Sequence, residues 1–178
     1  MTSEAKPRRM EGEQLLRYAL RALGRRAYSI GELREKLRQR AVSDDEAEDV
    51  LRRLRALGYL DDRKLAESYA AARLENEGLG RIRVVRELRR RKVAPQLAER
   101  VVARVYAGTD EHRLVEDFLR RKYRGKPLEE LLSEPKGVAS LYRRLRSAGF
   151  THAGITAVLR RLAPDPDLLV PLEEDSPE

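Results

Sequence analysis

The chain has 178 residues, of which 41% are hydrophobic, enough to form a folded core. Its 38 Lys and Arg residues exceed its 30 acids, and a net charge of +8 favours polyanionic partners such as phosphate backbones or acidic protein surfaces. The absence of Cys excludes disulfides and thiolate metal sites, and no stretch approaches the roughly 20 apolar residues that span a membrane. Since the N-terminal residues also lack the apolar centre of a signal peptide, a cytoplasmic location is expected.

Helical spacing dominates the apolar pattern from the start of the chain. Aromatic residues make up only 5%, and no run of alternating β-branched residues bounded by turn residues predicts a strand. The first helix is predicted from apolar residues on one face, before Gly24 ends it; these residues are Leu15, Leu16, Ala19, Leu20 and Leu23.

Capping patterns mark the next two helices. Ser29 and Glu32 form the Ser-x-x-Glu pattern of a capping box, in which the Ser hydroxyl and the Glu carboxylate each accept a backbone N–H. Ser43 and Glu46 repeat the pattern before a third helix, which Gly58 ends. The apolar stripe of this third helix is Ala47, Val50, Leu51, Leu54 and Leu57. Three short helices joined by brief turns predict a compact helix-turn-helix-like unit.

The pattern of this unit recurs twice along the chain, with shifts of 51 and then 57 residues. The apolar positions of the first copy are Leu33, Leu37, Val42, Ala47, Val50, Leu51 and Leu54. They become Val84, Leu88, Val93, Ala98, Val101, Val102 and Val105, and then Leu141, Leu145, Phe150, Ile155, Val158, Leu159 and Leu162. All seven positions stay apolar in each copy and are predicted to form the cores of three tandem three-helix repeats.

Helix-starting acids and breakers complete this organisation. Asp61-Asp62 and Thr109-Asp110 open the second and third copies. The inward residues of their first helices are predicted to be Leu65, Tyr69 and Ala72, then Leu114 and Phe118. The predicted segments are a flexible 1–12, repeats at 13–60, 61–108 and 109–163 with an insert near 125–136, and an acidic, disordered tail at 164–178. That tail carries a charge of −6, so the rest of the chain has a net charge of +14.

Catalytic and metal-binding patterns are absent from the sequence. The two histidines, His112 and His152, lie at different predicted helix starts, where a capping or surface role is expected. Gly78-Leu79-Gly80 follows no strand and therefore predicts a turn between helices, not a dinucleotide site. The acid clusters at 44–46 and 61–62 lie in first helical turns, where they complement the helix dipole. We therefore expect a non-enzymatic protein without cofactor or metal.

Arginine clusters are the strongest functional signal. In the second helix of copy two, Arg83, Arg86 and Arg90 lie opposite the apolar arc, with Glu87 the only acid among them. Such excess like charge is destabilising through self-repulsion, which favours an external anion over simple solvation. Equivalent clusters extend this basic face, whose predicted binding residues are Arg34, Arg38, Arg52, Arg53, Arg83, Arg86, Arg89, Arg90, Arg143, Arg144 and Arg160. The tyrosines Tyr18, Tyr69 and Tyr142 share helices with apolar stripes and are interpreted as amphipathic core residues.

Several of these segments resemble the RecX family, bacterial regulators of the RecA recombinase. The similarity covers about residues 13–163 and rests on Tyr28–Leu37, Gly58–Asp62, Gly78–Leu88 and Ala148–Thr151. Its most specific part is Gly-Tyr-Leu-Asp-Asp followed by Ala66 and Tyr69. Family members often have Gly before the turn between the second and third helices, where this chain has Ala41 and Lys92, so the backbone of those turns is left open.

The resemblance implies an elongated, curved array of three-helix units, monomeric, that lies in the groove of the RecA–DNA filament. There it would restrain ATP hydrolysis, strand exchange and co-protease activity. Single- or double-stranded DNA is a further candidate partner. Two alternatives stay open: a helix-turn-helix transcription regulator, although the reading helices lack Asn- or Gln-rich exposed faces, and a helical-repeat scaffold for RNA or peptide.

Overall fold

The structure, a computed structural model, describes residues 9–125 and 128–165. Within these residues the regular structure is helical, with ten α-helices, one π-helical segment and no strand. The helices are α1 (Gly12–Leu23), α2 (Ile30–Arg38), α3 (Asp44–Ala56), α4 (Asp62–Ala72), α5 (Arg81–Arg90), α6 (Pro95–Val105), α7 (Glu111–Lys122), α8 (Leu128–Leu132), α9 (Pro135–Ala148) and α10 (His152–Leu162). The prediction of an all-α protein built from three-helix repeats is confirmed. No helix in the described ranges is both long and apolar enough to cross a bilayer.

Helix starts follow the capping residues of the sequence. Ser29 accepts the N–H of Glu32, whose carboxylate accepts the Ser29 N–H, and this completes the predicted capping box of α2. Thr151 caps α10 by accepting the N–H of Gly154. The second capping box is only half formed, because Ser43 accepts the Glu46 N–H while the Glu46 carboxylate accepts the N–H of Gly12.

The turns between second and third helices differ in backbone conformation. Gly149 adopts the left-handed conformation at φ 95°, and Lys92, its counterpart in copy two, does so at φ 59°. This conformation costs a side-chain-bearing residue about 1–2 kcal/mol relative to glycine. Ala41 has no positive φ; instead its segment forms an isolated β-bridge with Met10. The first turn is therefore held by an extended N-terminal segment and not by a left-handed residue.

The first copy packs a core of leucines, with Leu33, Leu37 and Leu54 fully buried. Val42 was predicted to join this core, and that prediction is wrong, because Val42 is 43% exposed while Ala41 is buried. In an extended segment, neighbouring side chains point to opposite sides, so only one of Ala41 and Val42 can face inward. Leu57, also assigned to the stripe of α3, lies after the helix ends and is exposed.

Inward faces of the later helices also depart from the sequence pattern. In α4 the buried residues are Ala66 and Ala70, whereas Ala72 is exposed and Leu65 and Tyr69 are half-buried. Small alanines let the helix pack closely, so the larger side chains lie at the flanks of the contact. In α7 the buried pair is Val115 and Leu119, and the predicted Leu114 and Phe118 flank it half-buried.

The end of the third copy shows a similar shift. Leu162, predicted as core, is 39% exposed at the last residue of α10, and Ala163 is buried in its place. The equivalent Val105, at the last residue of α6, is half-buried. At a helix terminus there is no following turn to cover the side chain, so the apolar pattern overestimates its burial.

Residue contacts divide the chain into two compact units. One consists of Met1–Ser68 with Leu88–Ala98, and the other of Tyr69–Glu87 with Glu99–Glu178. The predicted repeat boundaries at 60/61 and 108/109 stay a prediction. The proposed flexible residues 1–8 and most of the proposed acidic tail, 166–178, lie outside the described residues, as do 126–127 of the insert.

Inside the first unit, the start of α2 packs on the turn before α6. The Ser29 hydroxyl donates to the Arg91 carbonyl, and Glu32 accepts from the Arg91 guanidinium at 3.1 Å. A Cβ on Gly31 would lie 2.6 Å from Lys92 Cβ, so only glycine fits here without a shift. We call this contact the first junction.

Inside the second unit, the start of α5 packs on the turn before α10 through counterpart positions. Gly80 N donates to Ala148 O at 2.9 Å, and Ile82 N donates to Gly149 O at 3.1 Å. Gly80 corresponds to Ser29, and Ala148 corresponds to Arg91, under the shifts of 51 and 57 residues. This second junction therefore repeats the first, with a backbone donor where the first has a side-chain donor.

Candidate polyanion-binding surface

Two cations on the outer side of α5 are unpaired within the described part of the chain. Arg86 and Arg90 are exposed, and neither has a hydrogen-bond or ion-pair partner among residues 9–125 and 128–165. They lie four residues apart on the helix, and Val84 and Leu88 fix its orientation because both are fully buried. Two guanidinium groups one helical turn apart suit bidentate contact with successive oxyanions.

Arg83 differs from Arg86 and Arg90, because Glu87 already binds it. Arg83 Nε donates to Glu87 Oε1 at 2.9 Å, the i to i+4 spacing of a helical ion pair. The other carboxylate oxygen accepts from the Tyr69 hydroxyl at 2.9 Å and lies 3.2 Å from Arg73 Nε. Burial alone would raise the pKa of Glu87, but hydrogen bonds from Arg83 and Tyr69 outweigh it and lower that pKa. The single acid of this cluster thus engages two arginines.

Arg73 is held within the π-helical segment Arg73–Glu77, which follows α4 directly. Its guanidinium donates to the Tyr69 hydroxyl at 2.8 Å, pairs with Glu77 and stacks on the Tyr69 ring. The bond to Tyr69 and the nearby acids raise the pKa of Arg73. Its Nε makes no hydrogen bond to any described residue, although it lies within ion-pair distance of Glu87. This network positions Glu87, and through it Arg83.

On the first copy, the predicted arginines are largely neutralised. Arg34 Nε donates to Glu48 at 2.7 Å, and Arg38 lies 3.7 Å from the same carboxylate and 3.5 Å from Asp44. The hydrogen bond from Arg34 is the main reason that the pKa of Glu48 is lowered. Glu48 therefore brings Arg34 and Arg38 together, and any external anion must compete with it.

The remaining predicted residues have varied surroundings. Arg52 pairs with Asp49 at 2.9 Å and Arg53 with Glu13 at 2.9 Å. Arg143 is exposed without a partner in the described ranges, whereas Arg144 lies 5.8 Å from the centroid of the Tyr123 ring. Exposed residues that take part in other interactions are Arg89 and Arg160. Among the described residues, Arg86, Arg90 and Arg143 of the predicted set thus have no partner and Arg144 has only a ring contact. The assignment of all eleven to binding stays a prediction.

Sequence reasoning missed Arg73 and the partner set of Glu87. Arg73 and Glu77 have the i to i+4 spacing of a helical ion pair, a local signal that could have been used, but the contact of Arg73 with Glu87 joins residues fourteen apart and leaves no local pattern. It also missed that Glu32 binds Arg91 as well as Arg26. Such long-range pairs reduce the free positive charge well below the count of arginines.

The histidines and acids occupy structural positions. His152 Nδ1 lies 2.8 Å from the Tyr142 hydroxyl at the start of α10, and His112 is exposed in the first turn of α7. Asp62 accepts the N–H of Ile30 at 2.8 Å; burial raises its pKa and this bond only partly offsets the effect. No group of three or more potential metal ligands occurs in the described part of the chain.

Family models match two parts of the chain. Residues 16–54 match the model described as "RecX, first three-helix domain", and residues 61–102 match "RecX, second three-helix domain". These ranges cover most of α1–α3 and most of α4–α6.

Relatives extend the similarity beyond the two domains. "Regulatory protein RecX" of Deinococcus radiodurans is 34% identical over 158 residues, which are 89% of this chain and 72% of that protein. The protein of the same name from Haemophilus influenzae strain Rd is 32% identical over 75% of this chain and 84% of its own. The crystal structure of RecX from Lactobacillus salivarius superposes with a TM-score of 0.65 at 19% identity, covering 84% of this chain and 94% of that one.

Proposed function

Because the chain belongs to the RecX family, a family of regulatory proteins, we propose that it is a non-enzymatic regulator of the RecA recombinase and acts mainly as an inhibitor. It binds in the groove of the RecA–DNA filament and lowers ATP hydrolysis, strand exchange and co-protease activity. The observation that supports this mode most directly is that Arg86 and Arg90 of α5 are exposed and have no partner among the described residues, in a chain of net charge +8. Unpaired guanidinium groups are the cations most available to phosphates.

The first experiment removes both exposed guanidinium groups of α5 with the double variant Arg86→Ala, Arg90→Ala. Alanine propagates a helix at least as well as arginine, and both side chains avoid the core, so helicity stays unchanged. Filament affinity is expected to fall about 10-fold or more. If duplex phosphates are the contacts, the slope of log K against log salt becomes shallower by about 1.8 for two contacts. Inhibition of RecA ATP hydrolysis falls in parallel.

A matched control makes the same change in charge elsewhere. Arg63→Ala with Arg120→Ala removes two exposed arginines that pair with Glu67 and Asp117 and lie outside the predicted face. This control is expected to bind and inhibit within about twofold of the parent. Equal losses in both variants would reduce the effect to net charge and would overturn the assignment of α5.

Two further variants test the ranking of the predicted residues. Arg83→Ala is expected to weaken binding less than the Arg86/Arg90 double variant does, because Glu87 already neutralises Arg83. Arg34→Ala with Arg38→Ala is also expected to be mild, since Glu48 holds both. Inhibition that survives in the Arg86/Arg90 variant while naked-DNA binding disappears would assign the contacts to acidic RecA side chains.

The same assay separates the alternatives. A filament regulator binds RecA–DNA filaments more tightly than duplex DNA alone, whereas a transcription regulator prefers a specific duplex sequence. A scaffold for peptide or RNA binds neither preferentially.

A further inference from the structure

A second cationic surface lies on the first copy and includes none of the predicted arginines. It consists of Tyr18 of α1, Tyr28 of the α1–α2 connection, Lys36 of α2 and Arg40, which follows α2. We call it the Tyr18 surface. Lys36 and Arg40 lie 5.7 and 5.9 Å from the centroid of the Tyr18 ring. At 100° per residue, Lys36 projects about 200° from Arg34 and Arg38, on the other side of α2.

The rings of this surface are fixed but not fully covered. Tyr18 and Tyr28 pack against the core of the first copy, and both stay half-buried. Arg26 covers one face of Tyr28 at 3.7 Å from its centroid and also pairs with Glu32. Tyr18 is therefore the ring better able to receive a further planar group, because its neighbouring cations lie near the 6 Å limit of contact.

The cations of the Tyr18 surface are not neutralised by the acids of the two helices. Glu13, the acid of α1, pairs with Arg53, and the acids of α2, Glu32 and Glu35, pair with Arg91 and Lys92. The side chains of Lys36 and Arg40 have only ring contacts among the described residues. A cation–π contact is worth about 0.5–1 kcal/mol at an exposed site, which orients a cation without cancelling its charge.

An aromatic ring with two cations within 6 Å of its centroid matches a nucleotide whose base is unpaired. The base stacks on the ring while the flanking phosphates approach the cations, which is the composition of surfaces that bind single strands without sequence preference. A duplex does not fit, because its bases are already stacked and paired. Exposed Arg21, one turn after Tyr18 on α1 and also without a partner in the described ranges, extends the positive charge along the helix.

We propose that the Tyr18 surface is a binding site for single-stranded nucleic acid, with Tyr18 as the stacking platform and Lys36 and Arg40 as phosphate contacts. The site is separate from the Arg86–Arg90 pair and does not depend on the proposed action on RecA. It is tested with the full-length chain and naked oligonucleotides, so that its failure is distinguishable from failure of the proposed function.

The stacking arm measures fluorescence anisotropy of labelled 30-nucleotide oligothymidine. Tyr18→Leu retains an apolar side chain against the core but removes the ring, and we expect affinity to fall about 5-fold or more. Tyr18→Phe keeps the ring and is expected to bind within twofold of the parent. Affinity for a 30-base-pair duplex should change less than twofold in both. Equal binding of oligothymidine by Tyr18→Leu and the parent would overturn the proposal.

A second experiment changes the charge of the surface. It stays informative even if a Tyr18 variant folds poorly, because Lys36 and Arg40 are not part of the core. For Lys36→Gln with Arg40→Gln, the salt slope for oligothymidine should become shallower by about 1.4, the value for two single-strand phosphate contacts. Arg63→Gln with Arg120→Gln, two exposed arginines outside both surfaces, is the charge-matched control and should leave the slope nearly unchanged. Equal slopes for the two double variants would show general electrostatic attraction and refute a defined site.

Discussion

Substituting Gly80 with Ala tests whether the second junction holds its repeat in place. Gly80 does not need glycine for its backbone conformation, because its φ is outside the left-handed region. The requirement is contact: an added Cβ would overlap the carbonyl group of Gly149 and lie 2.5 Å from Phe150 N. These are backbone atoms, which cannot rotate away as a flexible side chain can.

The expected loss of stability follows from the backbone atoms of Gly149 and Phe150 that must move. Overpacking of this kind costs about 1–3 kcal/mol. Opening the junction also weakens the bonds from Gly80 N to Ala148 O and from Ile82 N to Gly149 O, each worth about 1 kcal/mol. The free energy of unfolding should therefore fall by about 3–5 kcal/mol. With a urea m-value of about 2 kcal/mol/M, the midpoint falls by roughly 1.5–2.5 M.

The assay is urea unfolding followed by circular dichroism, with amide hydrogen exchange at Ile82 as a local readout. Gly24→Ala is the control, since an added Cβ there meets nothing closer than 3.5 Å and φ is −67°. The control midpoint should match the parent or exceed it. A Gly80→Ala midpoint within about 0.5 M of the parent, with unchanged exchange at Ile82, would refute a stabilising role for the junction.

Three other changes test the core, the first junction and the tail. Leu54→Asp places an unpaired charge at a fully buried position and should unfold the first copy, seen as lost helicity; retained helicity would contradict the core assignment. Burial alone would raise the pKa of Glu32, but hydrogen bonds from Arg91 and Ser29 outweigh it and lower that pKa. The Glu32 carboxylate therefore stabilises the fold fully above its unfolded pKa of about 4.3, and this stabilisation is lost as pH falls through its folded pKa. The free energy of unfolding should accordingly fall below about pH 5 in the parent but less in Glu32→Gln, and parallel pH profiles would exclude this linkage. Truncation after Ala163 removes the net −6 of the tail and should tighten DNA binding most at low salt; equal low-salt affinity would leave those acids a solubility role.

Local signals in the sequence were sufficient for the helices and their caps. Ser29 with Glu32 predicted the start of α2, because a capping box depends on residues within one turn. Repeated apolar spacing identified Leu37 and Leu88 as core residues, and both are fully buried. The spacing failed at Val42, where an extended segment replaces the helix and reverses which side chain faces inward.

The candidate site was less predictable than the fold. Arginine clusters on α5 were visible in the sequence, but the availability of each cation depends on acids from elsewhere. Glu87 engages Arg73 as well as Arg83, and no periodic pattern connects those positions. The Tyr18 surface also escaped the sequence, because Lys36 and Arg40 approach the ring only after α1 and α2 pack together. The left-handed Lys92 shows the same limit, since lysine gives no signal for that conformation.

The two junctions have a consequence for how chains of this kind can change length. Each junction joins the start of the second helix in one copy to the short turn that follows the second helix of the next copy. The residues involved occupy counterpart positions. A duplicated copy would therefore bring both halves of a working contact with it. Insertions should be tolerated between α7 and α9, as with the segment near 125–136, because that connection supplies neither half. The turn at 148–150 should instead be fixed in length, since a single added residue would displace the carbonyl that Gly80 binds.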